Sequence, residues 1–203
     1  MIKRELYMNR IRPFIGGELI KVMTGIRRSG KSVMLELIKE ELAEAGVAPS
    51  QMISINFEDM RYSHLQTATA LHDEIIKRAE GIEGKAYLFF DEIQEVEGWE
   101  KCVNSLRVAL DCDIYITGSN AKLLSGELAT YIGGRYVEFV IYPFSFAEFL
   151  ELYHTIAPSD SIQQCFQKYL LAGGMPYLAN LRYEEEPSRQ YLTDLFNSVQ
   201  LKD

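Results

Sequence analysis

The sequence predicts an α/β fold in three layers: a mostly parallel five-stranded sheet with helices on both faces, followed by a small helical region. Three observations carry this expectation. Short β-branched or apolar runs alternate with segments of helical apolar spacing along residues 19–141. One of the runs, Ala86-Tyr87-Leu88-Phe89-Phe90, is continuously apolar, as a strand covered on both faces should be. After Pro143 the alternation stops and only helical patterns follow.

Taken in order, Leu19 to Thr24 reads as a strand that stops at Gly25, and Val33 to Lys39 has the apolar spacing of a helix. Met52 to Phe57 reads as a strand closed by Glu58-Asp59, and Ala70 to Ala79 as a helix. The apolar strand ends at Asp91-Glu92. A helix from Trp99 to Leu110, a strand from Ile114 to Thr117 and a Gly118-Ser119-Asn120 turn come next. A helix over Ala121 to Ala129 and a strand over Val137 to Ile141 complete the alternating part. Such spacing implies βαβ units, hence parallel strands. Beyond Pro143, helices are expected over Phe144–Leu152, Ser161–Leu171 and Pro187–Leu201. The second is opened by Ser161 with Gln164 three residues on, and the third carries Pro187 in its first turn. The division is therefore a core over 1–143 and a helical region, lid or winged-helix-like, over 144–203. The last helix meets no Gly or Pro stop before Asp203, so this region is expected to continue elsewhere.

A length of 203 residues suits one generous domain, and 47% hydrophobic with 25% charged residues excludes a disordered, collagenous or coiled-coil chain. The net charge of −8 argues against a surface devoted to nucleic acid or anionic lipid. Cys102, Cys112 and Cys165 stand singly, no apolar run reaches the roughly 18–20 residues of a membrane span, and the start lacks a signal-like stretch. These features predict a cytoplasmic protein without a membrane partner. The charge is uneven: residues 1–40 hold nine Lys/Arg against four Glu, a balance of +5, which leaves −13 on the rest. An anion site near the N-terminus would produce that asymmetry.

Gly25-Ile26-Arg27-Arg28-Ser29-Gly30-Lys31-Ser32 matches G-x-x-x-x-G-K-[ST], with Val33 next in the helix. The spacing has a chemical reason. Glycines let the backbone curl so that successive N–H groups face an anion, and the following helix presents its positive end. Lys31 would reach the β- and γ-phosphates of a nucleotide, and the Ser32 hydroxyl would bind Mg²⁺. Chance supplies this pattern in about one chain in a hundred of this length. Here it also falls between a predicted strand and a predicted helix.

A phosphate loop needs a carboxylate at the end of a neighbouring buried strand to hold the metal. Asp91 fills that place, and Glu92 beside it would polarise an attacking water as general base. An adjacent base separates hydrolases from switch-type GTPases and small-molecule kinases.

With these residues in place, the chain resembles the uncharacterised AAA-type ATPases of bacteria and archaea, in the P-loop NTPase branch with an extra strand between the two motifs. The resemblance rests on Gly25 to Ser32, Phe90-Asp91-Glu92-Ile93-Gln94 with Trp99-Glu100, and Ile116-Thr117-Gly118-Ser119-Asn120. It continues with Gly134-Arg135-Tyr136, Tyr142-Pro143-Phe144-Ser145-Phe146 with Glu148-Phe149, and Gly173-Gly174-Met175-Pro176. Family members usually continue with a helical or winged-helix segment and a nuclease-like C-terminal domain. The resemblance thus implies the ATPase part of a longer protein, binding ATP with Mg²⁺ and coupling hydrolysis to conformational work on a protein or nucleic-acid partner. A nucleotide-gated switch with slow turnover is the alternative. It further implies a polar sensor of the γ-phosphate at Ser119, with Thr117 and Asn120 as rivals. Arg135 stands where such proteins, as homo-oligomers, place an arginine finger; pairing with a local carboxylate is the competing role.

Other features are given ordinary duties. His64, His72 and His154 lack metal-ligand spacing, and Glu58 and Asp59 suit a turn or cap. Phe144, Phe146, Phe149 and Tyr153 recur as helix core rather than as a base-stacking platform. Arg27 and Arg28 could meet either a phosphate or a partner.

Overall fold

The computed structural model describes residues 2–118 and 132–200. Five strands form one sheet: β1 (Ile20–Thr24), β2 (Met52–Asn56), β3 (Ala86–Asp91), β4 (Cys112–Thr117) and β5 (Tyr136–Val140). Their order is β2-β3-β4-β1-β5, and each of the four pairings is parallel. The three-layer P-loop NTPase architecture expected from the sequence is therefore present. In it β4 separates β1, which feeds the phosphate loop, from β3, which ends in Asp91. The expected helix over Ala121–Ala129 and the turn residues Ser119 and Asn120 lie outside the described residues.

By its internal contacts the chain divides into two units. One comprises residues 5–25 and 31–140, the other residues 1–4, 26–30 and 141–203.

The first unit holds the sheet with α1 (Glu5–Ile11), α2 (Lys31–Glu44), α3 (Ala68–Ala79) and α4 (Trp99–Ala109). α1 spans seven residues, two turns, too short for a periodic pattern to stand out; it buries Tyr7, Met8 and Ile11. Strand alternation splits the side chains between two faces. Val22, Leu88, Phe90, Ile114 and Ile116 join Leu71, Ile75, Trp99, Val103 and Leu106 of α3 and α4 in one core. Phe89 and Tyr115 point to the other face, stacked with centroids 4.8 Å apart, and Lys39 of α2 lies over the Phe89 ring. α3 starts where Thr67 Oγ1 accepts from Ala70 N–H at 3.3 Å.

β1 is buried at all five positions although it contains a lysine. Lys21 donates to Asp113 of β4, and both side chains are fully buried. Asp113 also accepts from Gly16 N–H (2.6 Å) and Tyr115 Oη–H (2.8 Å), so the carboxylate that neutralises the ammonium is itself satisfied.

The second unit contains α5 (Phe146–Tyr153), α6 (Ile162–Ala172) and α7 (Glu185–Gln200). α5 begins two residues after the expected Phe144 because Ser145 caps it, its hydroxyl facing Glu148 N–H while Glu148 Oε2 accepts from Ser145 N–H at 2.8 Å. The Ser161/Gln164 pair caps α6 in the same reciprocal way. Phe144, Phe149 and Tyr153 pack with Cys165, Met175, Leu178 and Tyr183, with Phe146 against them. The aromatic run is core, as its spacing indicates. No helix among the described residues is long and apolar enough to cross a membrane.

Candidate functional site

In an all-parallel sheet every strand ends at the same edge, where open α/β folds bind ligands. Register decides which side chains meet there. Asn56 is paired with Asp91, Phe90 with Ile116, and Met23 with Thr117, so Asn56, Asp91 and Thr117 form a row at the carboxyl edge of β2, β3 and β4. The row continues to Thr24, after which residues 25–30 lead into α2.

Along that connection the backbone is unusual. Gly25 and Gly30 have φ of 140° and 100°, and Arg28, which is not glycine, has φ of 64°. Ser29 N–H donates to Ile26 O at 3.2 Å. Lys31 opens α2 and is only 5% exposed, an unusual depth for an ammonium. Its Nζ donates to Gly25 O at 3.2 Å and lies 3.9 Å from Glu92 Oε1. Ser32, the next residue, stands close enough to Asp91 for its hydroxyl to pull the carboxyl pKa down. Gly25, Lys31, Ser32, Asp91 and Glu92 are thus gathered in one place.

Asp91 is 7% exposed. Burial pushes its pKa above the ordinary value, against the opposing pull of hydrogen bonds from Thr117 and Ser32. The Thr117 hydroxyl donates to Asp91 Oδ1 and accepts from Glu92 N–H at 3.0 Å, and Asn56 Nδ2 donates to Asp91 Oδ2 at 3.2 Å. Glu92 has φ 56° and ψ 49°, left-handed for a non-glycine residue. That conformation turns the chain sharply after β3, and Glu92 Oε2 accepts from Gln94 Nε2 at 2.5 Å.

The Ser32 hydroxyl and the nearby Asp91 carboxylate are oxygen donors of the kind that suits a hard cation. No group of three His, Cys, Asp or Glu side chains arranged to hold a metal occurs among the described residues.

The remaining candidates are spread more widely. Ile26, Arg27 and Arg28 are exposed, Val33 is exposed, and Ser29 is fully buried. The Arg28 guanidinium lies 5.9 and 5.8 Å from the ring centroids of Tyr177 and Tyr191, so aromatic faces occupy it. Arg135 is exposed just before β5, at the amino edge of the sheet, and its Nη1 donates to Asn104 Oδ1 at 2.8 Å, an amide rather than a carboxylate. Ser119 lies outside the described residues. His72 Nε2 is 3.1 Å from Ser105 Oγ, and Asp59 caps the short turn after β2 by accepting from Arg61 N–H.

Sequence reasoning gives no role to Asn56, quotes Gln94 only within a motif, and holds Thr117 only as a rival to Ser119. Asn56 has a detectable signal, a polar residue ending an apolar strand. Thr117 has none beyond its neighbours, because its partner lies 26 residues away and only register joins them.

A parallel sheet with a glycine-rich loop opening a helix, a buried lysine, and an acidic pair on the second strand over from the loop's own strand defines a P-loop nucleotide-binding protein. A family model described as an AAA domain matches residues 18–150, and the chain belongs to that family. An uncharacterised protein of Haemophilus influenzae is 41% identical over 204 aligned positions, covering all of this chain and 50% of its own length. The uncharacterised protein MJ1544 of Methanocaldococcus jannaschii is 34% identical over 189 positions, covering 87% of this chain and 41% of its own. The chain thus spans about half the length, or less, of these relatives. Among solved structures, Thermotoga maritima RuvB (a P216G mutant) superposes with a TM-score of 0.54 at 16% identity, over 87% of this chain and 57% of its own. Aeropyrum pernix Orc1 in complex with DNA gives 0.53 at 18%, over 76% and 49%. AMPPCP-bound DnaA from Aquifex aeolicus gives 0.51 at 13%, over 95% and 67%. At such identities the likeness is one of fold.

Proposed function

We propose that the chain is the ATP-binding and hydrolysing part of a machine that converts nucleotide turnover into conformational work on a protein or nucleic-acid partner. One observation carries the reading: the phosphate-loop lysine, buried at the start of α2, stands 3.9 Å from Glu92, beside a Ser32–Asp91 pair suited to a cation. The loop's N–H groups and Lys31 bind the phosphates. Ser32 and Asp91 would hold Mg²⁺, which when bound screens the charge on the phosphate oxygens. Glu92 takes the proton of the attacking water, and Thr117 fixes the backbone from which Glu92 projects. Arg135, from a neighbouring copy, and Ser119 are proposed to stabilise and sense the γ-phosphate. AMPPCP, the ligand of the DnaA neighbour, is an ATP analogue and supports the choice of nucleotide. DNA in the Orc1 structure keeps nucleic acid among the partners, although −13 outside residues 1–40 disfavours a basic groove on this chain. Three unpaired cysteines suit the reducing cytoplasm.

The switch reading has its own support in Gln94, whose amide holds the Glu92 carboxylate and so restrains the base. One experiment separates the two. Calorimetry with ATP should show binding by the wild-type chain and Glu92→Gln but none by Lys31→Ala. Turnover measured over a range of protein concentrations should fall at least a hundredfold in Glu92→Gln, on the scale of a lost general base. Unchanged ATP affinity in Lys31→Ala rejects the site. ATP binding without turnover by the wild-type chain at any concentration leaves the switch.

A further inference from the structure

Arg4 is a charged residue with almost no exposure, 3%, at a position of φ +46°. Each of its three guanidinium nitrogens donates. Nε donates to Glu148 Oε1 at 2.8 Å, Nη2 to the Tyr142 carbonyl at 2.8 Å and more weakly to Glu148 Oε2 at 3.5 Å, and Nη1 to the Ser29 carbonyl at 3.0 Å. The group also lies over the Phe144 ring, 5.2 Å from its centroid. A cation spent in this way on a carboxylate, two carbonyls and a ring is not a phosphate ligand, yet one of its contacts is to the phosphate loop itself.

What that contact does follows from peptide geometry. The bond between Ser29 and Gly30 is trans, so the Ser29 carbonyl and the Gly30 N–H point in opposite directions. Drawing the carbonyl toward Arg4 therefore turns the Gly30 N–H the other way. A loop that binds an anion through its backbone needs its N–H groups turned inward and its carbonyls outward, and an unrestrained peptide can flip. Gly30 fits this arrangement: it has φ of +100°, and the place a Cβ on it would take lies in ordinary contact, 3.4 Å, with Arg4 Nη1.

We infer that Arg4 is a positioning residue of the phosphate loop: by holding the Ser29 carbonyl it aims the Gly30 N–H at the bound phosphate. The inference rests on the nucleotide-binding reading above and adds to it a residue outside the loop motif. Glu148 neutralises the guanidinium and fixes its plane, so its part is indirect.

The test pairs two substitutions. Arg4→Lys keeps the charge beside Glu148, but a single ammonium cannot reach three acceptors lying in different directions. Glu148→Gln removes the charge and keeps one acceptor oxygen, for the Ser145 N–H of the cap or for Arg4 Nε, while the Ser29 contact of Arg4 stays available. With ADP as the calorimetric ligand, Arg4→Lys should lose about tenfold in affinity, the scale of one charge-assisted hydrogen bond. Glu148→Gln should stay within about twofold of wild type even if it melts earlier. In ¹⁵N-resolved spectra the Gly30 amide of the wild-type chain should move on ADP addition, and that response should shrink in Arg4→Lys. Arg4→Lys binding ADP as wild type does, or Glu148→Gln losing as much affinity as Arg4→Lys, overturns the inference. So does a wild-type Gly30 amide that ADP leaves unmoved, whatever the variants do. A wild-type chain that binds no ADP or ATP instead overturns the nucleotide reading, and the inference with it.

Discussion

The two glycines of the Gly173-Gly174-Met175-Pro176 segment should resist a methyl group for different reasons, Gly174 the more strongly. Gly173 has φ of +74° and nothing within 4 Å of the place a Cβ would take, so alanine there meets only backbone strain. With ψ of −171° Gly173 sits in a region that is essentially glycine's alone, so the strain costs about 2 kcal/mol. Gly174 needs no positive φ, but a Cβ on it would lie far inside 3.0 Å of the Phe144 carbonyl oxygen, with the Phe144 C and N at 3.0 and 3.1 Å. The obstacle is backbone, which cannot swing aside as a side-chain tip would. The same carbonyl accepts from Tyr169 Oη at 2.9 Å, and Phe144 N–H donates to Gly174 O at 2.7 Å, so moving either stretch of chain strains both bonds. Overpacking of about 2–3 kcal/mol plus about 1 kcal/mol of weakened hydrogen bonding gives roughly 3–4 kcal/mol. For a chain of this size that lowers Tm by roughly 10 °C, against about 6 °C for Gly173→Ala. Thermal melts followed by circular dichroism measure both. Gly174→Ala melting within about 2 °C of wild type, or above Gly173→Ala, refutes the close-approach argument.

Asp91→Asn should raise the Tm of the nucleotide-free chain while weakening nucleotide binding in Mg²⁺. Burial raises the native pKa of Asp91 above its ordinary 3.8, so the native state holds the proton more tightly and loses stability as pH climbs through that window. The gain from Asn should therefore be full at pH 7 and vanish toward pH 4; a gain independent of pH contradicts the cause. Asp113→Leu should cost about 3–5 kcal/mol by leaving the Lys21 ammonium buried and unpaired, and adding Lys21→Met should restore most of it in denaturant titrations. A double variant as unstable as the sum of the singles counts against the pair. Burial pushes Cys102 up to about 12 and Cys112 up to about 11, so a thiol-titrating reagent at pH 8 should label Cys102 only as fast as the chain opens and the half-buried Cys112 more slowly than a free thiol. Labelling at the rate of a free thiol would contradict their burial.

Much of the fold is legible in the sequence because parallel strands covered on both faces are written as apolar runs, and helices as periodic ones. The strand that ends in Asp91 and the cap at Ser161 can be read in this way, and the glycine loop marks the candidate phosphate site through its spacing. α1 is not legible, since two turns are too few for a period to emerge. Lys21 inside the most buried strand runs against pattern, and its partner Asp113, 92 residues on, could not be guessed.

The sequence by itself determined the alternating architecture and the Gly25–Ser32, Asp91 and Glu92 set, because local spacing controls backbone curl, helix start and strand end. Tertiary structure alone decided the rest of the site. Register placed Thr117 between Asp91 and Glu92 and set Asn56 against Asp91, and a carbonyl at Ser29 acquired Arg4 as its donor. The physical reason is common to all three. Hydrogen bonds of a few ångströms join residues 25 to 35 positions apart, and nothing in the local order of a chain encodes which distant polar group a folded backbone will bring within reach.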